Sequence, residues 1–282
     1  MTKWQPFPHP NMSFSFDGAA LQKHWPVLHR GDCIPYPDDD WVRKWIEISP
    51  QVVPDDFDGD IAAVASDIRS AWRHYHAGEF AKAVQLADRC GVLGHACANK
   101  STGIHASYLQ DGHQQQSSFE TAIARAENAI SVIPGEPNSH YFRAFNLGRY
   151  GQSISIIEAL KRGMAGKIHE SLSTTLELAP NHAEAHTAMG MYHAEIINKV
   201  GKMIGGMTYG ASSSKAMQHL EKALELTPGA PIATIEFGNG LYLLFGDKKL
   251  DEVTDLYIRA SEMEPVDAME KLDIEAALAE LE

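Results

Sequence analysis

Four stretches of the chain end in proline after the same arrangement of small and apolar residues: Ala129 to Pro134, Thr175 to Pro180, Ala223 to Pro228 and Ala260 to Pro265. Proline has no amide hydrogen and drives the residue before it out of the helical region, so each marks where one helix stops and another can begin. Just upstream, the sets Ala122/Ala126/Ala129, Ile168/Leu172/Thr175, Ala216/Leu220/Ala223 and Val253/Tyr257/Ala260 recur with spacings of four and then three. On a helix those spacings place three side chains on one face, and small residues there let a neighbouring helix approach closely. A fifth set, Ala83/Ala87/Cys90, follows His76-Ala-Gly-Glu-Phe80 and lacks the proline. The chain is therefore expected to be all-α, built from helical hairpins that repeat.

These segments resemble the second helix of a tetratricopeptide (TPR) repeat. His76-Ala-Gly-Glu-Phe-Ala-Lys-Ala83 resembles the turn between the two helices, and Met189-Gly190 and Phe237-Gly238 resemble the packing pair of the first helix. The prolines lie 46, 48 and 37 residues apart, against about 34 for a regular repeat. The extra residues fall between the helices of a hairpin, at Gly151 to Gly166 and at Asn198 to Ser214. A degenerate array with such long connections is similar to the regulator of microtubule dynamics family over about 163 to 282, through Leu176-Glu-Leu-Ala-Pro-Asn181, Ala185-His-Thr-Ala-Met-Gly190 and Asp273-Ile-Glu-Ala-Ala-Leu-Ala-Glu-Leu281. More loosely it resembles the TPR partner of periplasmic TRAP transporters. The resemblance implies a helical scaffold and carries no particular activity with it.

The expected architecture is a TPR-like α-α superhelix of about five hairpins, at about 60–90, 92–133, 138–179, 182–227 and 231–264, with a capping helix from Met269 to Leu281. Residues 1–57 are expected to form an irregular N-terminal arm, and 58–282 the repeat domain. Eight prolines interrupt the arm, but Trp4, Phe7, Phe14, Phe16, Trp25, Tyr36, Trp41 and Trp45 are too many aromatics for a solvated tail. The arm should cover an end or flank of the array, as terminal repeats require, or else enter its concave groove.

A net charge of −13 repels nucleic acid and anionic membrane surfaces alike, so neither is an expected partner. No run of about 18 apolar residues offers a membrane span. The first ten residues lack the apolar run of a signal peptide, and Cys33, Cys90 and Cys97 cannot all pair within one chain. A cytoplasmic location is the expectation, with no cofactor.

Fourteen histidines raise the possibility of a metal-dependent enzyme. His186 and His193 share a helix face, with His182 at the helix start, and three imidazoles could hold zinc. The spacing lacks the His-Glu-x-x-His order of a zincin, however, and no nucleophile elbow or phosphate loop occurs. The favoured reading is a non-catalytic scaffold that binds a protein partner, a peptide or a small ligand.

The repeat register turns Trp72 and Tyr75, then Phe142, Asn146 and Arg149, then Met191 and Glu195, then Asn239 and Tyr242 toward the groove, where a ligand would sit. Each competes with an ordinary packing role. Asn146 and Asn239 stand in apolar surroundings and need a hydrogen-bond partner, since an unpaired buried amide costs roughly 1–3 kcal/mol. The insertions supply a second surface: Lys161, Arg162, Lys199, Lys202 and Met203, interleaved with Ile156, Ile157, Leu160, Ile204 and Met207. They either extend their helices and bury the apolar side or form a methionine-rich lip, and an adaptor or homo-oligomer could use them.

Overall fold

A computed structural model describes residues 4–282, with the side chains of Ile156, Ile157 and Leu160 outside the described set. Among the described residues there are helices and no strands. The repeat helices are α3 (Ile61–His76) with α4 (Phe80–Arg89), α5 (His95–Leu109) with α6 (Gly112–Val132), α7 (Pro137–Gln152), α9 (Met164–Leu178), α10 (Ala183–Tyr209) with α11 (Ser213–Leu226), and α12 (Pro231–Phe245) with α13 (Leu250–Ser261). The arm carries α1 (Ala20–Leu28) and α2 (Asp39–Ile48), the first insertion carries α8 (Ile156–Lys161), and α14 (Ala268–Ala279) comes last.

Local chemistry accounts for the helix ends. α6, α9 and α11 each stop two residues before their proline. Pro137 and Pro231 open α7 and α12 at a first-turn position, where the missing N–H is no loss. Side chains of Asp60, Ser212 and Asp267 accept hydrogen bonds from the amides of Ala63, Lys215 and Glu270 at 2.9, 3.1 and 2.9 Å, satisfying donors that the first turn leaves orphaned.

The recurring triplets are the packing faces. Ala83, Ala87 and Cys90 are buried, as are Ala122, Ala126 and Ala129, Leu172 and Thr175, Ala216, Leu220 and Ala223, and Val253 and Ala260. Ile168 and Tyr257 are half-buried. Leu220 of α11 shows why small residues are needed opposite. A Cβ at Gly190 of α10 would lie 2.6 Å from its Cγ, and one at Gly240 of α12 would lie 2.3 Å from its Cδ1. Both helices close on one leucine because both present glycine.

The chain divides into two compact units, residues 1–29 with 34–164, and residues 30–33 with 165–282. The helices expected for the third hairpin, α7 and α9, belong to different units. In the first unit α3, α4, α5, α6 and α7 pack in succession; in the second, α10 packs on α11 and α12, and α12 on α13 and α14.

Two regions differ from the sequence expectation. The arm is not irregular throughout. Its prolines forbid long helices, yet α1 tolerates Pro26 in its last turn, and α2 fits between an Asp38 cap that accepts from Trp41 N at 2.9 Å and Pro50. The second insertion extends its helix, as one of the two alternatives held, but leaves Met203, Ile204 and Met207 exposed instead of burying the apolar side. α10 runs on through a break at Gly201 (φ 80°, ψ 160°) and ends at Gly210 (φ 62°), both in the left-handed half of backbone space that glycine tolerates. Beyond the break the helix bends back on its own earlier turns, so that a Cβ at Gly205 would lie 3.3 Å from Cγ2 of Ile196.

Candidate protein-interaction surfaces

In the first unit, the α3 face expected to meet ligand is covered by the chain's own arm. Trp72 and Tyr75 are buried. Trp25 meets Trp72 edge-on at 5.9 Å between ring centroids, and His29 meets it at 4.6 Å. Phe16 lies 5.7 Å from His76. The indole N–H of Trp25 donates to Ile34 O at 2.7 Å, so the covering ring is itself fixed. Arg69 donates to Pro37 O at 2.8 Å, and Arg73 donates to Phe16 O at 3.0 Å and Gly18 O at 3.3 Å. The hydrogen bonds from α3 thus reach the arm through its backbone carbonyls, beside the ring contacts of Phe16, Trp25 and His29.

Phe142 and Asn146 of α7 are also buried. Asn146 Nδ2 donates to Phe142 O at 2.8 Å, while Oδ1 has no hydrogen-bond partner among the described residues. That oxygen would lie 2.8 Å from a Cβ at Gly103 of α5, so the asparagine sits at a close helix–helix contact. Arg149 is half-buried, with its guanidinium over the Phe145 ring at 5.7 Å. Trp72, Tyr75, Phe142 and Asn146 are thus all buried, Trp72 beneath side chains of the arm and Asn146 at a helix–helix contact.

The second unit leaves more surface uncovered. Met191 is half-buried, its sulfur beside Gly240, and Glu195 pairs with Lys199 at 2.6 Å. Asn239 Nδ2 donates to Glu236 Oε2 at 3.0 Å, and its Oδ1 accepts from the Tyr257 hydroxyl. The amide that needed a partner finds it inside the protein. Burial, with help from Glu280 and Glu236, pushes the Tyr257 hydroxyl up to about 12, which keeps it a donor. Tyr242 is 49% exposed.

The two most exposed large apolar side chains among the described residues, Met207 at 84% and Met203 at 74%, lie on the bent-back end of α10, with Ile204 beside them at 51%. With Gly205 turned inward, these three occupy the outside of the segment. Lys202 beside them is exposed. In the first insertion Lys161 is exposed, and Arg162 donates to Glu158 at 2.7 Å and to the Tyr150 hydroxyl at 3.0 Å. The expected apolar positions Ile156, Ile157 and Leu160 lie outside the described side chains.

The histidines do not make the zinc centre that their spacing allows. His182 caps α10, its Nδ1 accepting from Ala185 N at 3.0 Å, so that lone pair is spent. No group of three or more His, Cys, Asp or Glu is placed to hold a metal ion among the described residues. His186 instead pairs with His219 of α11, which sequence spacing did not single out. Their Nδ1 atoms are 2.9 Å apart, and His186 Nε2 lies 3.0 Å from Pro180 O. A carbonyl only accepts, so neutral His186 carries its hydrogen on Nε2 and takes one from His219 at Nδ1. Burial pushes His219 and His193 down to about 4, with the neighbouring histidines and Lys215 adding to it.

Among the described residues, no helix is long and apolar enough to cross a membrane. The profile of the family "Regulator of microtubule dynamics protein 1-3" matches residues 87–271. No curated protein matches the chain in sequence. Among solved structures, a thermophilic TPR protein of Thermus thermophilus superposes with a TM-score of 0.55 at 16% identity, over 77% of this chain and 99% of that one. At that identity the likeness speaks for the fold, and it is the fold that the buried triplets and the glycine contacts of Leu220 build. With the family profile spanning well over half of its length, the chain belongs to the regulator of microtubule dynamics family and has a degenerate TPR-like helical-repeat fold.

Proposed function

We propose that the chain is a non-catalytic scaffold that binds a protein partner through its second unit. The observation that carries this reading is the exposed Met203, Ile204 and Met207 on a short helical segment that Gly201 turns back. Three large apolar side chains side by side in water are a cost that a partner surface relieves. Methionine also adapts its shape to what it meets. Tyr242 and Met191, on α12 and α10 of the same unit, would add an aromatic and a flexible apolar contact, with Glu195, Lys199 and Lys202 as a polar surround. The TPR-like fold supports this, by the analogy that helical repeats commonly work as presented surfaces. The unpaired, buried thiols of Cys90 and Cys97 fit a reducing compartment such as the cytoplasm.

The test is a photo-crosslinkable residue at Met207, used in cells that express the chain. The expected result is an adduct with another protein that disappears when Met203, Ile204 and Met207 are all changed to serine, with the helical circular-dichroism signal unchanged. An adduct between two copies of the chain would favour a homo-oligomeric adaptor. Unchanged adducts in the serine variant would remove this surface from consideration.

A further inference from the structure

Residues 4–15 lie against the first unit in a way that defines a ligand. The Trp4 ring packs against His105 with centroids 4.4 Å apart and planes tilted by 46°. The Gln5 amide nitrogen is 2.8 Å from His105 Nε2, and the Gln5 carbonyl oxygen is farther off, at 3.2 Å. A backbone N–H can only donate, so Nε2 bears the lone pair, and burial, which pushes this imidazole down to about 4, keeps it neutral at pH 7. His105 is 1% exposed. Its Nε2 is therefore a buried acceptor in α5 whose donor comes from the arm, 100 residues away in sequence.

The rest of the segment is fastened lightly. Gln5, Pro6, Pro8 and Pro10 to Ser13 are exposed, and Phe7 meets His9 and Phe14 edge-on, within the segment itself. The next strong hold is Arg73 on the carbonyls of Phe16 and Gly18. From Leu21 onward the arm is part of the core, with Leu21, Trp25, Val42 and Val52 buried. Residues 4–15 are thus a strap on a fixed base, and segments with few buried contacts open at low free energy. Prolines at positions 6, 8 and 10 bias the strap toward extended backbone, so little chain entropy is lost when it lies down.

We propose that Trp4 and Gln5 fill, in cis, a recognition site for an extended, proline-flanked peptide that presents an aromatic residue followed by a free backbone amide. The ring packs at a tilt against His105, and the amide donates to Nε2. Neither contact uses a side chain other than the aromatic one, so a segment of another protein with the same pattern fits the same place. The strap and that segment compete, and the apparent affinity for the incoming peptide falls by the fraction of molecules in which the strap is closed.

The test uses the full chain and a fluorescently labelled synthetic peptide of residues 4–15, with binding read by anisotropy. Trp4→Ala in the protein weakens the strap, and the peptide is expected to bind that variant about tenfold tighter than the unaltered chain. Adding His105→Leu to Trp4→Ala should reverse the gain. Because His105 is buried and its variant could fail to fold, a second arm changes the probe: a peptide with alanine in place of its tryptophan should lose binding to the Trp4→Ala protein. Equal binding of the two peptides, no gain from Trp4→Ala, or no binding to any variant would each overturn the proposal.

Discussion

The two units present corresponding helices in different states. In the first, the face of α3 around Trp72 lies under Trp25, His29 and Phe16 of the arm. In the second, Tyr242 of α12 is half exposed, and the bent-back end of α10 carries Met203 and Met207 into solvent. The same repeat chemistry, an apolar triplet on one helix and small residues on its neighbour, builds both. What differs is the irregular sequence added to each: an aromatic, proline-broken arm closes one face, and a glycine-jointed insertion opens another. A residue's place in the repeat therefore says which way it points, and the additions decide whether a partner can reach it.

The largest effect that bears on this contrast is expected from Trp72→Ala. Removing a buried indole packed on both sides should cost about 3–5 kcal/mol of stability, measured by urea unfolding. Tyr242→Ala should change stability by no more than about 0.5 kcal/mol. Similar losses for the two would erase the distinction between a closed face and an open one. Leu220→Ala should fall in the same large class, about 2–5 kcal/mol, because α10 and α12 both close on that side chain.

Acid is expected to act on both units through histidines held neutral. His105 in the first, and His193 and His219 in the second, have folded-state values pushed down to about 4 from an ordinary 6.5, in each case chiefly by burial. The unfolded chain takes up protons at these positions first. The stability they contribute is therefore full above pH 6.5 and lost as pH falls toward 4, on the order of 1–2 kcal/mol for each group. Unfolding midpoints measured from pH 7 to pH 4 should fall, and fall less in a His193→Gln variant. A flat profile over that range would contradict the buried, neutral state.

Asn239→Ala sharpens the comparison further. Asn239 joins Glu236 to Tyr257, so its loss should cost about 1–2 kcal/mol, while Tyr242→Ala alone tests binding. Replacing both together would mix a structural effect with a functional one. The smallest effect is expected at Arg162, whose pair with Glu158 is exposed on both sides; Arg162→Ala should leave the urea-unfolding midpoint essentially unchanged.

The hairpins were legible in the sequence because their signals are local. The triplets at four-and-three spacing and the terminating prolines fix where α6, α9 and α11 end, and the burial of those triplets follows from their periodicity. The arm's coverage of Trp72 was not legible, since it depends on residues 16–29 meeting α3 across about 50 positions, and no local pattern encodes that pairing. Nor was the reversal after Gly201, because glycine permits a left-handed turn without requiring one. The role of His182 could have been read more closely: a polar residue immediately before a helix, three positions ahead of an amide it can cap, fits an N-cap better than a metal ligand. His219 was invisible as a partner of His186 because their contact depends on the register between α10 and α11.

The most direct test of the contrast places the same photo-crosslinker once at Met207 and once at Trp72, in cells that express the full chain. The expected result is adducts with another protein from position 207 and none from position 72. Adducts from position 72 with none from position 207 would contradict it.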